Sequence, residues 1–130
     1  MAWQDFAFAN GYTAATEAGV ELAGPLAKAA YIELSEEGKL KLRTYAYHLI
    51  KDDCTNPEEE ADIAAKEAEE FNNEYFRVVG LKVFIDGVIE AHTGWLLDDY
   101  KDAPGSHGLE RFHDHDIAVR LLKAAAGHGM

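Results

Sequence analysis

The chain has 130 residues, with 12 Lys and Arg against 24 Asp and Glu for a formal net charge of −12, and a 48% apolar share. That length suits one domain with a single core, and with an apolar share ordinary for a globular protein the acidity does not imply disorder. One cysteine excludes a disulfide framework, no apolar run approaches a membrane span of about 18 residues, and the first residues lack a signal-peptide pattern. The expectation is a single acidic globular domain over 1–130, cytoplasmic, with no contact to a membrane.

Residues 1–11 form an aromatic-rich arm carrying Trp3, Phe6 and Phe8, ending at the turn signal Asn10-Gly11. Three aromatics in so short an arm call for a dry partner, either the chain's own core or a neighbouring subunit. The alanines from Ala14 to Ala30 favour helix, and Gly24-Pro25 breaks it. One helix is expected at 12–23 and a second from Pro25, with proline in the first turn. Ala15, Gly19 and Ala23 form a small stripe that admits close helix packing.

Ser35 followed by Glu36 and Glu37 reads as a cap and acidic first turn. Leu42, Tyr45, Ala46, Leu49 and Ile50 then fall on one face of a helix over 35–53. The alternation from Lys39 to Arg43 competes with this, pairing with 31–34 as a hairpin. Thr55-Asn56-Pro57 and Glu58, Glu59 and Glu60 mark a helix start. The spacing of Ala64, Ala68, Phe71 and Tyr75 predicts a helix over 57–77, with Asp62 and Lys66 as an i,i+4 pair. Residues 76–91 are apolar and β-branched and read either as a buried helix or, through Asp86-Gly87, as a hairpin. A last helix is expected at 108–125. The fold expected is mainly α, a compact bundle of about five helices, with α+β and a hairpin at 78–91 as the alternative.

Residues 51–75 hold 10 acids and 2 bases, two thirds of the net charge. Phosphate backbones need clustered cations, so direct nucleic-acid binding is disfavoured. An acidic block attracts basic protein surfaces and speeds encounter. The expected function is a non-catalytic protein-interaction domain, either an assembly component, as a homo-oligomer for example, or an acidic inhibitor of a basic target. In charge alone it resembles small acidic proteins that imitate phosphate. The residues assigned to the partner are Glu59, Asp62, Glu69, Glu70, Trp3, Phe6, Phe8 and Trp95. No cofactor is expected.

The rival expectation is a metal-dependent all-α hydrolase of a phosphorylated small molecule. His113-Asp114-His115-Asp116 resembles the doubled His-Asp motif of metal-dependent phosphohydrolases. His113 and Asp116 would be helical neighbours, Arg120 would pair with Asp116, and His48 and His92 could add ligands. Order and spacing depart from that family. Glu67 and Glu70, facing Asp86 and Glu90, resemble the carboxylates of small helical nucleotide pyrophosphohydrolases, but the second spacing is one too long. His48 and Asp52 would be a further i,i+4 pair. Cys54 beside Asp52 and Asp53 should be a poor thiolate. Neither Ser35 nor Ser106 lies in a nucleophile elbow, and the chain lacks a phosphate-binding glycine loop.

Overall fold

Thr44, Ala46, His48 and Ile50 alternate with Tyr45, Tyr47 and Leu49, and this period of two builds the central strand. In the computed structural model, which describes residues 2–19 and 25–130, the first four are buried and the other three half-exposed. Aromatic and β-branched side chains suit such a pleated, partly buried strand. The element order is α1 (Ala2–Ala9), β1 (Ala14–Glu17), α2 (Pro25–Glu36), β2 (Arg43–Leu49), α3 (Pro57–Glu70), β3 (Phe76–Lys82), a 3-10 turn at Ile89–Ala91 and α4 (His115–Gly127).

The three strands lie in sequence order and pair in parallel, with Thr16 beside Tyr45 and Tyr45 beside Arg77. Parallel neighbours need a crossover, and the helices α2 and α3 supply the two. Beyond Ala46 the register shifts, so that Tyr47 faces Gly80 and Val79 is the extra residue of a bulge. Both crossover helices cover one face of the sheet. Ala27, Tyr31 and Ile32 of α2 and Ala68 of α3 pack on Leu40, Ala46, Phe76 and Val78. A second apolar cluster joins Ile50, Ala61, Phe112 and Leu121, with Leu81, Val83 and Ile117 against it, and seats α4 on α3. The opposite face keeps Ala14, Thr16, Arg43, Arg77 and Val79 exposed and Tyr45, Tyr47 and Leu49 half-exposed.

The five-helix bundle is therefore corrected to an α/β architecture, and the 78–91 hairpin is corrected as well. β3 runs parallel to β2, whereas a hairpin would be antiparallel. Asp86-Gly87 opens a loop instead: the Gly87 N–H donates to Thr93 O at 3.0 Å, and Asp86 Oδ2 accepts from the Trp95 N–H at 2.9 Å. The 12–23 helix fails because Ala14–Glu17 pair with β2; tertiary pairing outweighs the helix propensity of alanine. Val20 to Gly24, and with them Ala23 of the small stripe, lie outside the described residues. α2 does begin at Pro25.

The 35–53 helix fails at Gly38. Ser35 and Glu36 are the last turn of α2, not the first turn of a new helix. Gly38 takes φ +65°, and the N–H groups of Lys39 and Leu40 both donate to Leu34 O at 2.8 and 2.9 Å. A left-handed glycine ends a helix in this way. The 31–34 hairpin partner is likewise helical. α3 starts at Pro57 as expected but stops at Glu70, short of residue 77. Asn73 turns the chain: its side-chain oxygen accepts from the N–H groups of Tyr75 and Phe76 at 2.9 and 2.8 Å. Ala61 and Ala64 are buried, while Phe71 and Tyr75 are half-buried. α4 begins at His115 rather than 108, because Asp114 caps it by accepting from the Ile117 N–H at 3.0 Å.

Candidate active site at the carboxyl edge of the sheet

In open parallel sheets, ligands bind outside the carboxyl ends of the strands. Here the loops leaving β2 and β3 form a cleft of about 380 Å³ lined by Leu49, Ile50, Lys51, Asp52, Asp53, Phe84 and Arg111. It continues into a hollow of about 230 Å³ lined by Phe84, Asp86, Gly87, Val88, Thr93 and Arg111. Phe84 and Arg111 are common to both.

Arg111 is fixed from three sides. Its backbone N–H donates to Ile85 O at 2.9 Å, its Nε and Nη2 donate to Asp52 Oδ2 at 2.9 and 2.7 Å, and its guanidinium lies 5.3 Å from the Phe84 ring centre. Lys82 Nζ lies 4.6 Å from the same ring. An arginine held this way presents its remaining donors without losing much rotamer freedom. The long loop after β3 is equally braced. The Thr93 hydroxyl accepts from the Val88 N–H at 2.9 Å, the Tyr100 hydroxyl donates to Gly94 O at 2.7 Å, and the Leu96 N–H donates to His107 O at 2.8 Å.

Of the four nominated metal ligands, His113 and Asp116 line one hollow, while His48 and His92 have partners elsewhere. His48 lies on the helix-covered face of the sheet, with Nδ1 3.0 Å from Glu67 Oε2 and Nε2 3.2 Å from Glu60 Oε2. The two carboxylates sit on opposite ring nitrogens, so they cannot converge with the ring on one ion. His92, a left-handed residue at φ 51°, pairs through Nε2 with Asp102 Oδ2 at 3.0 Å and meets Tyr100 edge-on. Its hydrogen bond holds the Asp102 carboxyl below the usual range. His113 and His115 both turn to Glu110, at 3.6 and 2.7 Å, and hydrogen bonds from His115 first and His113 second hold that carboxyl low. An open hollow of about 410 Å³ lies beside them, lined by His113, Asp114, His115 and Asp116. Arg120 does not take Asp116 as its hydrogen-bond partner but Glu58 of α3, at 2.8 Å from Nε. Asp62 meets His128 at 2.8 Å. Among the described residues, no group of three or more His, Cys, Asp or Glu side chains is placed to hold a metal ion.

The residues assigned to a partner fall on three elements. Glu59, Asp62, Glu69 and Glu70 are exposed on α3, and Glu59 accepts from the Asn56 side chain at 2.9 Å. Trp3, Phe6 and Phe8 are 59, 57 and 44% exposed on α1, whose buried face is Gln4 and Ala7. Gln4 bonds the backbone at Lys39 and Lys41. Trp95 is exposed on the loop after β3. Cys54 has its thiol pushed up, by burial first and the Glu60 charge second. No helix among the described residues is long and apolar enough to cross a membrane.

Glu67 links pH to stability. Burial pushes its carboxyl up, but hydrogen bonds from His48 and Lys28 outweigh that and hold it below its usual range. A lowered folded value stabilises above the unfolded value and is lost as pH falls through the folded one. Acid unfolding of Glu67→Gln, followed by circular dichroism below about pH 4.5, should show a shallower loss of stability than the parent.

No family model matches the chain. A stretch of 65 residues, half of this chain, is 29% identical to the Bacillus subtilis protein described as "Putative amidohydrolase YtcJ", covering 12% of it. The whole fold superposes on an uncharacterized metal-dependent hydrolase from Pyrococcus furiosus, with a TM-score of 0.73 and 26% identity over 99% of this chain and 25% of that one. An uncharacterized metal-dependent hydrolase from Pyrococcus horikoshii shares the fold, with a TM-score of 0.72 and 22% identity over 98% of this chain and 24% of that one. The chain thus spans about a quarter of the length of these solved structures, and its matched stretch about an eighth of the curated relative. These likenesses overturn the expectation of a helical, non-catalytic binding domain or acidic inhibitor and point to hydrolases.

Proposed function

We propose that the chain belongs to a hydrolase acting on amide bonds and that it binds substrate in the carboxyl-edge cleft. The observation that carries this reading is the superposition on the Pyrococcus furiosus hydrolase over 99% of the chain. The substrate class follows the description of the Bacillus subtilis relative and replaces the phosphorylated small molecule first expected. Phe84 forms an apolar wall of the cleft, and Arg111, held by Asp52, offers fixed donors to a carbonyl or carboxylate oxygen. The described residues do not fit a resident metal, since no three ligands converge. These residues bind and orient substrate.

The test is a panel of N-acyl amino acids and aryl amides incubated with the purified chain, in chelator and with added Zn²⁺ or Mn²⁺. Amide cleavage is expected, with Arg111→Ala raising KM about tenfold or more, as loss of a charged hydrogen bond does. Absence of cleavage across the panel in every condition would overturn the reading.

A further inference from the structure

His48 stands at the carboxyl third of β2, and residues 50–56 lead from there into α3. Three of those residues, Lys51, Asp52 and Asp53, line the cleft, and Asp52 holds Arg111. The contact from His48 Nε2 to Glu60 Oε2 at 3.2 Å spans this loop, tying the strand before it to the first turns of the helix after it. The contact from Nδ1 to Glu67 Oε2 at 3.0 Å adds a second tie two turns further along the same helix face. Lys28 of α2 is ion-paired to the other oxygen of Glu67. The His48 side chain is 11% exposed.

We propose that His48 is a positioning residue: its imidazolium, clasped between Glu60 and Glu67, fixes the 50–56 wall of the cleft, and loss of its second proton releases that wall. A carboxylate only accepts hydrogen bonds, so two carboxylates on the two ring nitrogens are both satisfied only when both nitrogens carry protons. Neutral imidazole has one N–H and one lone pair. Glu67 keeps its N–H and its Lys28 pair, while Glu60 is left facing the lone pair and moves off. Among the described residues, the charged and titratable groups facing the ring include Glu60 and Glu67 of α3, with Lys28 of α2 behind Glu67 and the raised Cys54 thiol near Glu60. Charge on His48 favours the clasped form, so the clasp is complete on the acid side of the histidine titration, as long as Glu60 and Glu67 stay ionised, and is lost as pH rises. The clasp stands on this geometry alone; its consequence for substrate rests on the cleft being the site.

The experiment is a pH series from about 5.5 to 9, bracketing histidine titration, on the full ¹⁵N-labelled chain. It follows the His48 ring nitrogens and the backbone amides of Lys51, Asp52, Asp53 and Glu60. In the parent, the loop amides are expected to shift with the same midpoint as the His48 ring. His48→Gln should abolish the loop response. Glu60→Gln keeps the Glu67 and Lys28 contacts, so it covers the case of an unfolded His48→Gln; there the ring should still titrate and the loop should not follow. Loop shifts unchanged in both variants, or a parent ring that titrates without the loop, would overturn the proposal. A failed hydrolysis assay would leave it standing, because the readout is loop conformation.

Discussion

Replacing Phe76 by alanine should cost about 3–5 kcal/mol, the range for truncating a buried aromatic. Phe76 is 0% exposed, opens β3 and stacks on Tyr31 with ring centres 5.4 Å apart. It belongs to the cluster that joins Leu40 before β2, Ala46 within it, Ala68 of α3 and, through Tyr31, α2. The vacated volume cannot collapse easily, because its floor is sheet backbone and its walls are two helices. Domains of this kind are stable by only about 5–15 kcal/mol, so the loss is a large share of the total. Urea unfolding of the variant should show a much lower midpoint with little change of slope. Phe71→Ala, at a half-buried ring after the end of α3, should cost clearly less.

The second large effect is expected at Gly108. This glycine takes φ +94°, and a Cβ there would fall on the carbonyl group of Gly94. The obstacle is backbone, so no side-chain rotation relieves it. The Gly94 oxygen accepts the Tyr100 hydroxyl at 2.7 Å, and the neighbouring Leu109 N–H donates to Thr93 O at 3.3 Å. Gly108→Ala should therefore separate these strands of the loop and expose Tyr100, which is 6% exposed. Backbone strain alone is worth about 1–3 kcal/mol, and the lost loop contacts add to it. Gly105 is the control, at φ +89° with open space around it. Gly105→Ala should show strain alone. Amide exchange at Leu96 and Leu109, with Trp95 fluorescence, separates the two outcomes.

Local punctuation in the sequence was legible only where it had a single meaning. Pro57 opens α3 and Pro25 opens α2, because proline at a helix start fixes φ and forgoes a donor that has no partner there. Glu36-Glu37 before Gly38 had two meanings, and the left-handed glycine selected the one at a helix end. Asn72-Asn73 was the missed signal that stops α3, since Asn73 bonds the backbone two and three residues on. Ala14–Glu17 carries helix-favouring alanine and becomes strand only through β2. The site was less legible still. His48 was noticed, but with Asp52 as its helical neighbour; on a strand its partners come from α3 instead. Arg111 carries no local pattern at all, and its role emerges from Asp52, 59 residues earlier.

The bare side of the sheet governs how stability answers temperature. Unfolding raises heat capacity chiefly by wetting apolar surface, by about 12–15 cal/mol/K per residue in ordinary domains. Tyr45, Tyr47, Leu49 and Val79 already meet water in the native chain on that side. Less apolar surface remains to be wetted, so the heat-capacity increment falls below that of a domain of equal length with both sheet sides covered. Its curve of free energy against temperature is correspondingly shallow, placing cold and heat unfolding further apart for a given maximum stability.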